Sequence, residues 1–504
     1  MDRPEPRPPL PESLDVLVVG AGISGISAAV HLQQRLPHLR WAVAEARDAI
    51  GGTWDLFRFP GVRSDSDMHT LGFGFRPWAG DTMLSDGASI RAYIAETAAE
   101  YGLDEHIHFG CRVAAASWSG ETARWTVRLE RTDGDDLVVT CRHLFAGTGY
   151  YDYGAGYLPP FDGVERFEGT FVHAQGWPEE LDYDGARVVV IGSGATAVTL
   201  VPALARRAAH VTMLQRTPSY ILSIGARDRF APLLRRLGRD RAARWARRKN
   251  VALAGALYAV SQRFPKQARR VLLQRVRREL PEGYDVERHF GPPYDPWDQR
   301  LCVVPDADIF AAIRSGAASV VTDRIAQFEE RGIRLASAEL LEADVVVAAT
   351  GLQLKLLGGI ELEVDGRRVD PAACVTYRGM LLSGVPNLVF ALGYTNASWT
   401  LRIDLLWEHA VRLVEEVHAR GADAFVARRP PDGDPLAPLM GLTSGYVTRA
   451  KHLLPRQGTS GPWRTPRTYW REARALRGSP LGEPGLELLR ATAPQRGPSH
   501  PEAS

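Results

Sequence analysis

Residues 15–25 read DVLVVGAGISG, and the rest of the chain is read outward from them. DVLVV is a short apolar run of the kind that forms a parallel strand covered on both faces. Gly20, Gly22 and Gly25 follow in G-x-G-x-x-G spacing, with Ser24 inside the turn. The first glycine permits a tight turn. The second lets a pyrophosphate approach the backbone, and the third lets the next helix pack closely on the strand. The helix ISAAVHLQQRL begins at once, so its free N–H groups favour an anion. A second strand, WAVAEA, ends near Glu45, twenty residues after Gly25. A carboxylate there accepts from ribose hydroxyls and repels a 2′-phosphate, which selects FAD or NAD over NADP.

The pattern recurs. RVVVI (residues 187–191) is a second buried-strand candidate, and GSGATA places Gly192, Ser193, Gly194, Ala195, Thr196 and Ala197 in G-x-G-x-x-A spacing, with Val198 beginning the apolar part of the helix. The following strand, HVTMLQR, ends on Gln215 and Arg216 with no acid. Arginine is permanently charged and matches phosphate geometry. One charge-assisted contact of roughly 1.5–3 kcal/mol favours NADP over NAD by about one to two orders of magnitude. Thr-Gly turns close both units, at Gly147-Thr148-Gly149 and at Ala349-Thr350-Gly351. Two sites of opposite 2′ preference predict a hydride passing from NADPH to FAD. The expected fold is α/β, with two Rossmann-like dinucleotide-binding domains and a helical insertion. Residues 1–150 and 352–490 are assigned to the FAD domain. Residues 151–220 and 299–351 form the NADP domain, 221–298 the insertion and 491–504 a disordered tail.

Composition agrees with an ordinary globular protein of two or three domains: 504 residues, 45% hydrophobic, 24% charged. A net charge of +2 gives no case for nucleic acid. Cys111, Cys141, Cys302 and Cys374 are too widely spaced for a zinc site or dithiol centre, and suit a reducing cytoplasm. The N-terminal MDRPEPRPPLPESLD has no apolar signal core. The longest apolar run, Val251–Val260, is too short to span a membrane. Around it the chain is strongly basic, with Arg235, Arg236, Arg239, Arg241, Arg244, Arg247, Arg248 and Lys249 close together. That reads as a solvated helix face, with weak contact to an anionic membrane surface as the alternative. The 51–78 loop holds Asp55, Asp65 and Asp67, and loops of this length are often functional. Arg300 follows a proline- and aromatic-rich turn.

Between the two glycine motifs lies FEGTFVHAQGWP, residues 167–178. It fits F-x-G-x-x-x-H-x-x-x-W-P, and on it the chain resembles the Baeyer–Villiger monooxygenases of the flavin-monooxygenase superfamily. Within them it is similar to the actinobacterial ethionamide-activating subgroup, through GGTWDLFRFPGVRSDSDMHTLGF, LPEGYDVERHFGPPYDPWDQRLC and LGYTNASWTL. The resemblance implies that Gly20, Gly22, Ser24, Gly25 and Glu45 hold the FAD pyrophosphate and ribose. Thr53, Trp54, Asp55 and Leu56 would line the flavin, and the Val113 backbone would meet the adenine. Arg63, Ser64 and Asp65 would lie where flavin and nicotinamide meet, and Gly192 to Val198 with Gln215 and Arg216 would bind NADP. Arg300 matches the family's active-site arginine, with Asp65 to hold it. Phe167, Gly169, His173 and Trp177 would form an inter-domain linker that couples domain movement to turnover. Many relatives have a lysine before that arginine; here it is Gln299. The implied activity is NADPH- and O2-dependent oxygenation of ketones to esters or lactones, with oxygenation of sulfur compounds beside it. The alternatives are S- or N-oxygenation alone, or an uncoupled NADPH oxidase or flavin redox sensor. Pocket walls are expected near Trp54, Trp297, Trp399 and Trp407. The oligomeric state is left open.

Overall fold

The computed structural model describes residues 9–228, 230, 238–430, 433–466, 468–478 and 483–491. Arg235, Arg236 and nearly all of the expected disordered tail lie outside them.

The apolar run at the start becomes β1 (Ser13–Val19), flanked in parallel by β2 (Trp41–Ala44) and β6 (Leu137–Ala146). With both faces covered from Val16 to Val19, successive residues there are all apolar and buried. α1 (Ile23–Arg35) connects β1 to β2. β3 (Ile107–His108) extends the sheet beyond β2, while β4 (Cys111–Ser119) and β5 (Arg124–Arg131) form an antiparallel meander ending in β6. Late in the chain β19 (Glu361–Val364), β20 (Arg367–Val369) and β23 (Leu388–Phe390) return to complete nine strands. A small sheet nearby contains β21 (Val375–Tyr377) and β22 (Leu381–Leu382).

The second sheet is wholly parallel, in order β13 (Ala318–Thr322), β10 (His210–Gln215), β9 (Arg187–Ile191), β17 (Val345–Ala348) and β8 (Thr170–His173). α5 (Ala195–Leu204) follows β9 as α1 follows β1. β14 (Ile325–Glu329), β15 (Gly332–Leu335) and β16 (Leu340–Glu342) form a three-stranded flap between β13 and β17. Between the two large sheets the chain crosses twice, as β7 (Tyr151–Gly156) and β18 (Leu352–Leu354), which pair antiparallel.

This alters the reading of FEGTFVHAQGWP. Its centre is β8, an edge strand of the second sheet, and the β7–β18 ribbon makes the crossing. Phe167 and Gly169 seat the strand: a Cβ on Gly169 would lie 2.4 Å from the Phe167 ring and 2.5 Å from the Asp344 carbonyl. At its end His173 lies against the ribbon, where a Cβ on Gly156 would lie 1.8 Å from the imidazole Cε1. Its Nδ1 accepts from the Gln175 amide at 3.1 Å, and burial lowers its pKa. Trp177 packs edge-on against Tyr183.

The short helices α2 (Thr53–Leu56) and α3 (Met68–Leu71) and the longer α4 (Gly87–Glu100) follow the first nucleotide unit. The segment expected to be a helical insertion opens with a strand, β11 (Ile221–Ile224), paired in parallel with β12 (Cys302–Pro305). Between them lie α6 (Arg239–Arg263), α7 (Pro265–Glu279) and α8 (Val286–Phe290). α9 (Asp308–Arg314) packs on α5, and α10 (Trp399–Ala419) packs on α1. α11 (Gly445–Ala450) packs on β18. The expectation of a uniform solvated face on α6 is corrected. Arg247 is largely buried and donates to the carbonyls of His69 (3.1 Å), Thr70 (3.2 Å) and Gly72, the open end of α3. Lys249 pairs with buried Asp228 at 2.5 Å, and Asn250 donates to Asp67 at 3.0 Å. Among the described residues no helix is long and apolar enough to cross a membrane. All four cysteines are buried and free.

Candidate active site

One cleft of about 1800 Å3 is lined by both glycine loops, both Thr-Gly turns, part of the 51–78 loop, the β7–β18 ribbon and α11. Single-ligand pockets usually span roughly 300–1,000 Å3, so there is room here for more than one ligand. α1 and α5 point their N-termini into it. Neither has a side-chain cap or an acidic residue in its first turn, whereas Asp67, Asp86 and Asp285 cap α3, α4 and α8. Unsatisfied helix N–H groups and the positive end of the dipole are thus left for an anion at two places in one cleft.

At the first place Gly20 adopts φ +95°, and a Cβ there would lie 3.1 Å from the Gly147 carbonyl. Gly22 faces Gly52, and Ser24 lines the wall. Gly25 does not face the cleft; it lets α1 lie on the Gly20 backbone. Glu45, just past β2, accepts from the Ala21 amide at 2.5 Å and the Arg47 amide at 2.9 Å. Burial raises its pKa against those two bonds. Each oxygen keeps a lone pair for a hydroxyl donor, so the donor set fits a ribose. Val113 lines the same end.

Thr53 and Trp54 line the middle of the cleft, where Thr53 Oγ1 lies 3.2 Å from the Tyr153 hydroxyl. Leu56 and Asp55 do not. Asp55 is 2% exposed and binds Arg47 (2.7 Å), Arg58 (2.9 Å) and Arg91 (2.8 Å), tying α2 to α4. Burial alone would raise its pKa, and the arginines reverse this to a net depression. That stabilisation is present above the unfolded pKa of about 3.9 and is lost as pH falls through the lower folded value. Asp55→Asn is expected to cost about 1–3 kcal/mol in urea unfolding at neutral pH, the arginines being partly screened. The difference from wild type should shrink in acid.

Arg300 and Asp65, distant in sequence, come together in the wall of the cleft. Arg300 Nε lies 3.3 Å from Asp65 Oδ2, and its Nη2 donates to Oδ1 at 3.4 Å. Asp65 holds the guanidinium pKa well above its ordinary value, with Tyr150, Tyr151 and Tyr446 reinforcing it. Burial pushes the Tyr446 hydroxyl up to about 12. Tyr150 stacks on Trp399 with ring centroids 4.7 Å apart. Arg63 lines the cleft but pairs with Asp308 on α9, while its buried Nε has no partner. Ser64 spends its hydroxyl on the Ser66 backbone.

At the second place Gly192, Ser193, Gly194, Ala195 and Thr196 line the cleft; Ala197 and Val198 turn into the core. The expectation for Gln215 is overturned. Its amide is buried and donates to the His289 carbonyl (2.7 Å) and Thr322 Oγ1 (2.9 Å), away from the cleft. Arg216 does line it, and pairs with no carboxylate among the described residues. So does Arg324, just beyond the neighbouring strand β13, which sequence reasoning missed. Lys355, Arg449 and the tyrosines at 150, 151, 153 and 446 were also missed. Arg449 sits 3.3 Å over the Tyr157 ring, and burial lowers its pKa. Of the expected tryptophan walls, Trp54 and Trp399 are present. Trp297 packs on Tyr258, and Trp407 is core, its indole N–H reaching Ser24 Oγ at 3.3 Å.

Two uncapped nucleotide cradles sharing one cleft define a two-dinucleotide flavoprotein, and the chain belongs to the flavin-binding monooxygenase-like family. It is a flavin-dependent monooxygenase. That family's model matches residues 83–232, and the NAD(P)-binding Rossmann-like domain matches 18–83. The FAD-containing monooxygenase EthA of Mycobacterium tuberculosis is 50% identical over 485 residues, 96% of this chain and 99% of that protein. EthA of Mycolicibacterium smegmatis is 46% identical over 484 residues, 96% and 98% of the two chains. In fold the chain is similar to a steroid monooxygenase bound to NADP (TM-score 0.73, 22% identity, 95% and 100% coverage). It is also similar to cyclohexanone monooxygenase from Rhodococcus sp. Phi1 bound to NADP+ (TM-score 0.73, 20% identity, 96% and 100% coverage).

Proposed function

We propose that this chain is an FAD- and NADPH-dependent monooxygenase that inserts one atom of O2 into ketones, giving esters or lactones, and oxygenates sulfur in sulfides and thioamides. The observation that carries the reading is the Arg300–Asp65 pair, set in one cleft between the two cradles. FAD fits the first cradle through the α1 N-terminus and Glu45. NADP fits the second through the α5 N-terminus and the guanidinium groups of Arg216 and Arg324, neither of which pairs with a carboxylate among the described residues. When bound, FAD supplies the redox and O2 chemistry. The protein's own part is to bind, orient and keep water out. Arg300 presents a charge that does not titrate to whatever negative charge develops on oxygen. Asp65 aims it, and the Tyr150–Trp399 stack and Tyr446 replace water beside it.

The test follows product and hydrogen peroxide together for simple ketones and thioethers with FAD-loaded protein. Ester or sulfoxide formed in step with NADPH consumption is expected. Peroxide equal to the NADPH consumed with every substrate would establish an uncoupled oxidase instead.

Arg216 and Arg324 stand at the ends of neighbouring strands, and the pair takes over the 2′-phosphate contact that Gln299 does not provide. Arg216→Ala is expected to reduce the preference for NADPH over NADH by about one to two orders of magnitude in kcat/KM. Arg216→Ala/Arg324→Ala should bring it close to unity, with flavin content unchanged.

A further inference from the structure

Six of the eleven large apolar side chains exposed among the described residues lie between Trp245 and Val271, so exposure is concentrated on one device, the α6–α7 hairpin. The two halves of α6 differ. Its first half is riveted down, Arg247 and Asn250 to the two ends of α3 and Lys249 to Asp228. Its second half, VALAGALYAV (251–260), carries no charge and is exposed from Ala252 to Leu257, with Leu253 59%, Leu257 45% and Val260 57% accessible. Val251, Tyr258 and the adjoining Ser261 turn inward, Val251 against Tyr394 and Leu401 and Tyr258 onto Trp297. Exposed Phe264 and Val271 carry the apolar surface round the turn into α7.

Charge identifies the occupant. α6 and α7 together hold thirteen basic residues against two acidic ones, in a chain whose net charge is only +2. A second copy of the hairpin would set like charges face to face, whereas an anionic surface would be attracted. Ten helical residues span about 15 Å, half of the roughly 30 Å hydrocarbon core. The apolar stretch therefore fits within one leaflet. Arg248 before it and Arg263, Lys266 and Arg270 after it are placed for lipid phosphates, with stems that follow the apolar surface.

We propose that the α6–α7 hairpin is a monotopic anchor that dips Leu253, Leu257, Val260 and Phe264 into one leaflet of an anionic bilayer. The anchor goes beyond the oxygenation chemistry and does not depend on it. It shoulders the turn through Pro296 and Trp297 that leads to Arg300, so docking holds that side of the cleft at the lipid surface.

The test is flotation of the full-length, FAD-loaded protein with vesicles of phosphatidylcholine alone or mixed with phosphatidylglycerol. Wild type is expected to float with the mixed vesicles and to bind phosphatidylcholine much more weakly. Leu253→Glu/Leu257→Glu should bind at least about tenfold more weakly, with NADPH oxidation and melting temperature unchanged because neither side chain is buried. Arg263→Glu/Lys266→Glu should lose the preference for phosphatidylglycerol. Wild type that fails to float, or a leucine variant that floats equally well, overturns the anchor. So does a wild-type dimer in light scattering that Leu253→Glu/Leu257→Glu converts to monomer without any vesicle binding, since that marks a self-interface.

Discussion

Arg300→Ala is expected to abolish oxygen transfer to substrate while leaving flavin content, NADPH binding and flavin reduction close to wild type. Removing one preorganised electrostatic partner of a developing oxyanion commonly costs about 10²–10³ in rate. The setting here favours the upper end. The Arg300 side chain is only partly exposed and shares the cleft with a stacked Tyr150–Trp399 wall and a tyrosine whose hydroxyl stays protonated to about pH 12. Its contacts to Asp65, at 3.3 and 3.4 Å, are long enough to orient the fork without neutralising it. NADPH consumption should continue as hydrogen peroxide release. Arg300→Lys should recover little, because a single ammonium cannot reproduce the two-point contact to Asp65. Asp65→Ala should fall less, by about tenfold, since the cation survives but loses its aim. Product formed per NADPH, with peroxide measured in the same sample, checks all three. An unchanged product yield in Arg300→Ala would remove Arg300 from the chemistry.

The two cradles were legible because their chemistry is local. A strand, three small residues at fixed spacing and a helix start are set by backbone sterics within a dozen positions. What needed the fold was which way side chains turn. Gln215 and Arg216 are consecutive at the end of β10, and consecutive strand residues point to opposite faces. Arg216 faces the cleft, so Gln215 faces His289; the motif admitted both, and alternation admits one. Asp55 sits in a loop that resembles a flavin wall, yet its oxygens are claimed by arginines at 47, 58 and 91. Arg91 comes from α4, and nothing in the loop announces that partner. Tyr446 and Arg449 enter the cleft from α11, far along the chain from the first cradle, with no motif around them. The basic run on α6 misled for a related reason. Charge density marks a solvated face only where no open helix end lies within reach, and α3 offered its carbonyls to Arg247. The apolar run beside it was correctly too short to span a bilayer, but its exposure was invisible until the hairpin had a place in the fold.

Gly25→Ala is expected to yield colourless, destabilised protein, while Gly194→Ala, at a neighbouring position of the sister motif, should fold and hold its flavin normally. The two differ in what the new methyl meets. At Gly25 a Cβ would lie 1.7 Å from the Gly20 carbonyl oxygen and 2.8 Å from its carbon, both backbone atoms that cannot rotate aside. Gly20 has nowhere to go. It is held at φ +95° and is itself backed by the Gly147 carbonyl, and Gly147 packs in turn on the Gly25 backbone, where its own Cβ would lie 2.9 Å from the Gly25 nitrogen. Three glycines thus lock strand, helix and closing turn together backbone to backbone. The methyl must lift α1 off β1, which moves the uncapped N-terminus from the pyrophosphate position and opens the core beneath Ile26 and Val30. Overpacking of this kind costs about 1–3 kcal/mol where side chains can yield and more where only backbone is available. Gly194 has φ −82° and nothing within 4 Å of its Cβ position, so alanine carries no packing penalty there. Its methyl would project only into the space reserved for the second pyrophosphate, raising KM for NADPH by about tenfold with kcat for flavin reduction at saturation nearly kept. Flavin absorbance per protein, the melting temperature and the NADPH KM separate the two outcomes. A Gly25→Ala protein that is yellow and as stable as wild type would mean that α1 and β1 are not held together by backbone contact.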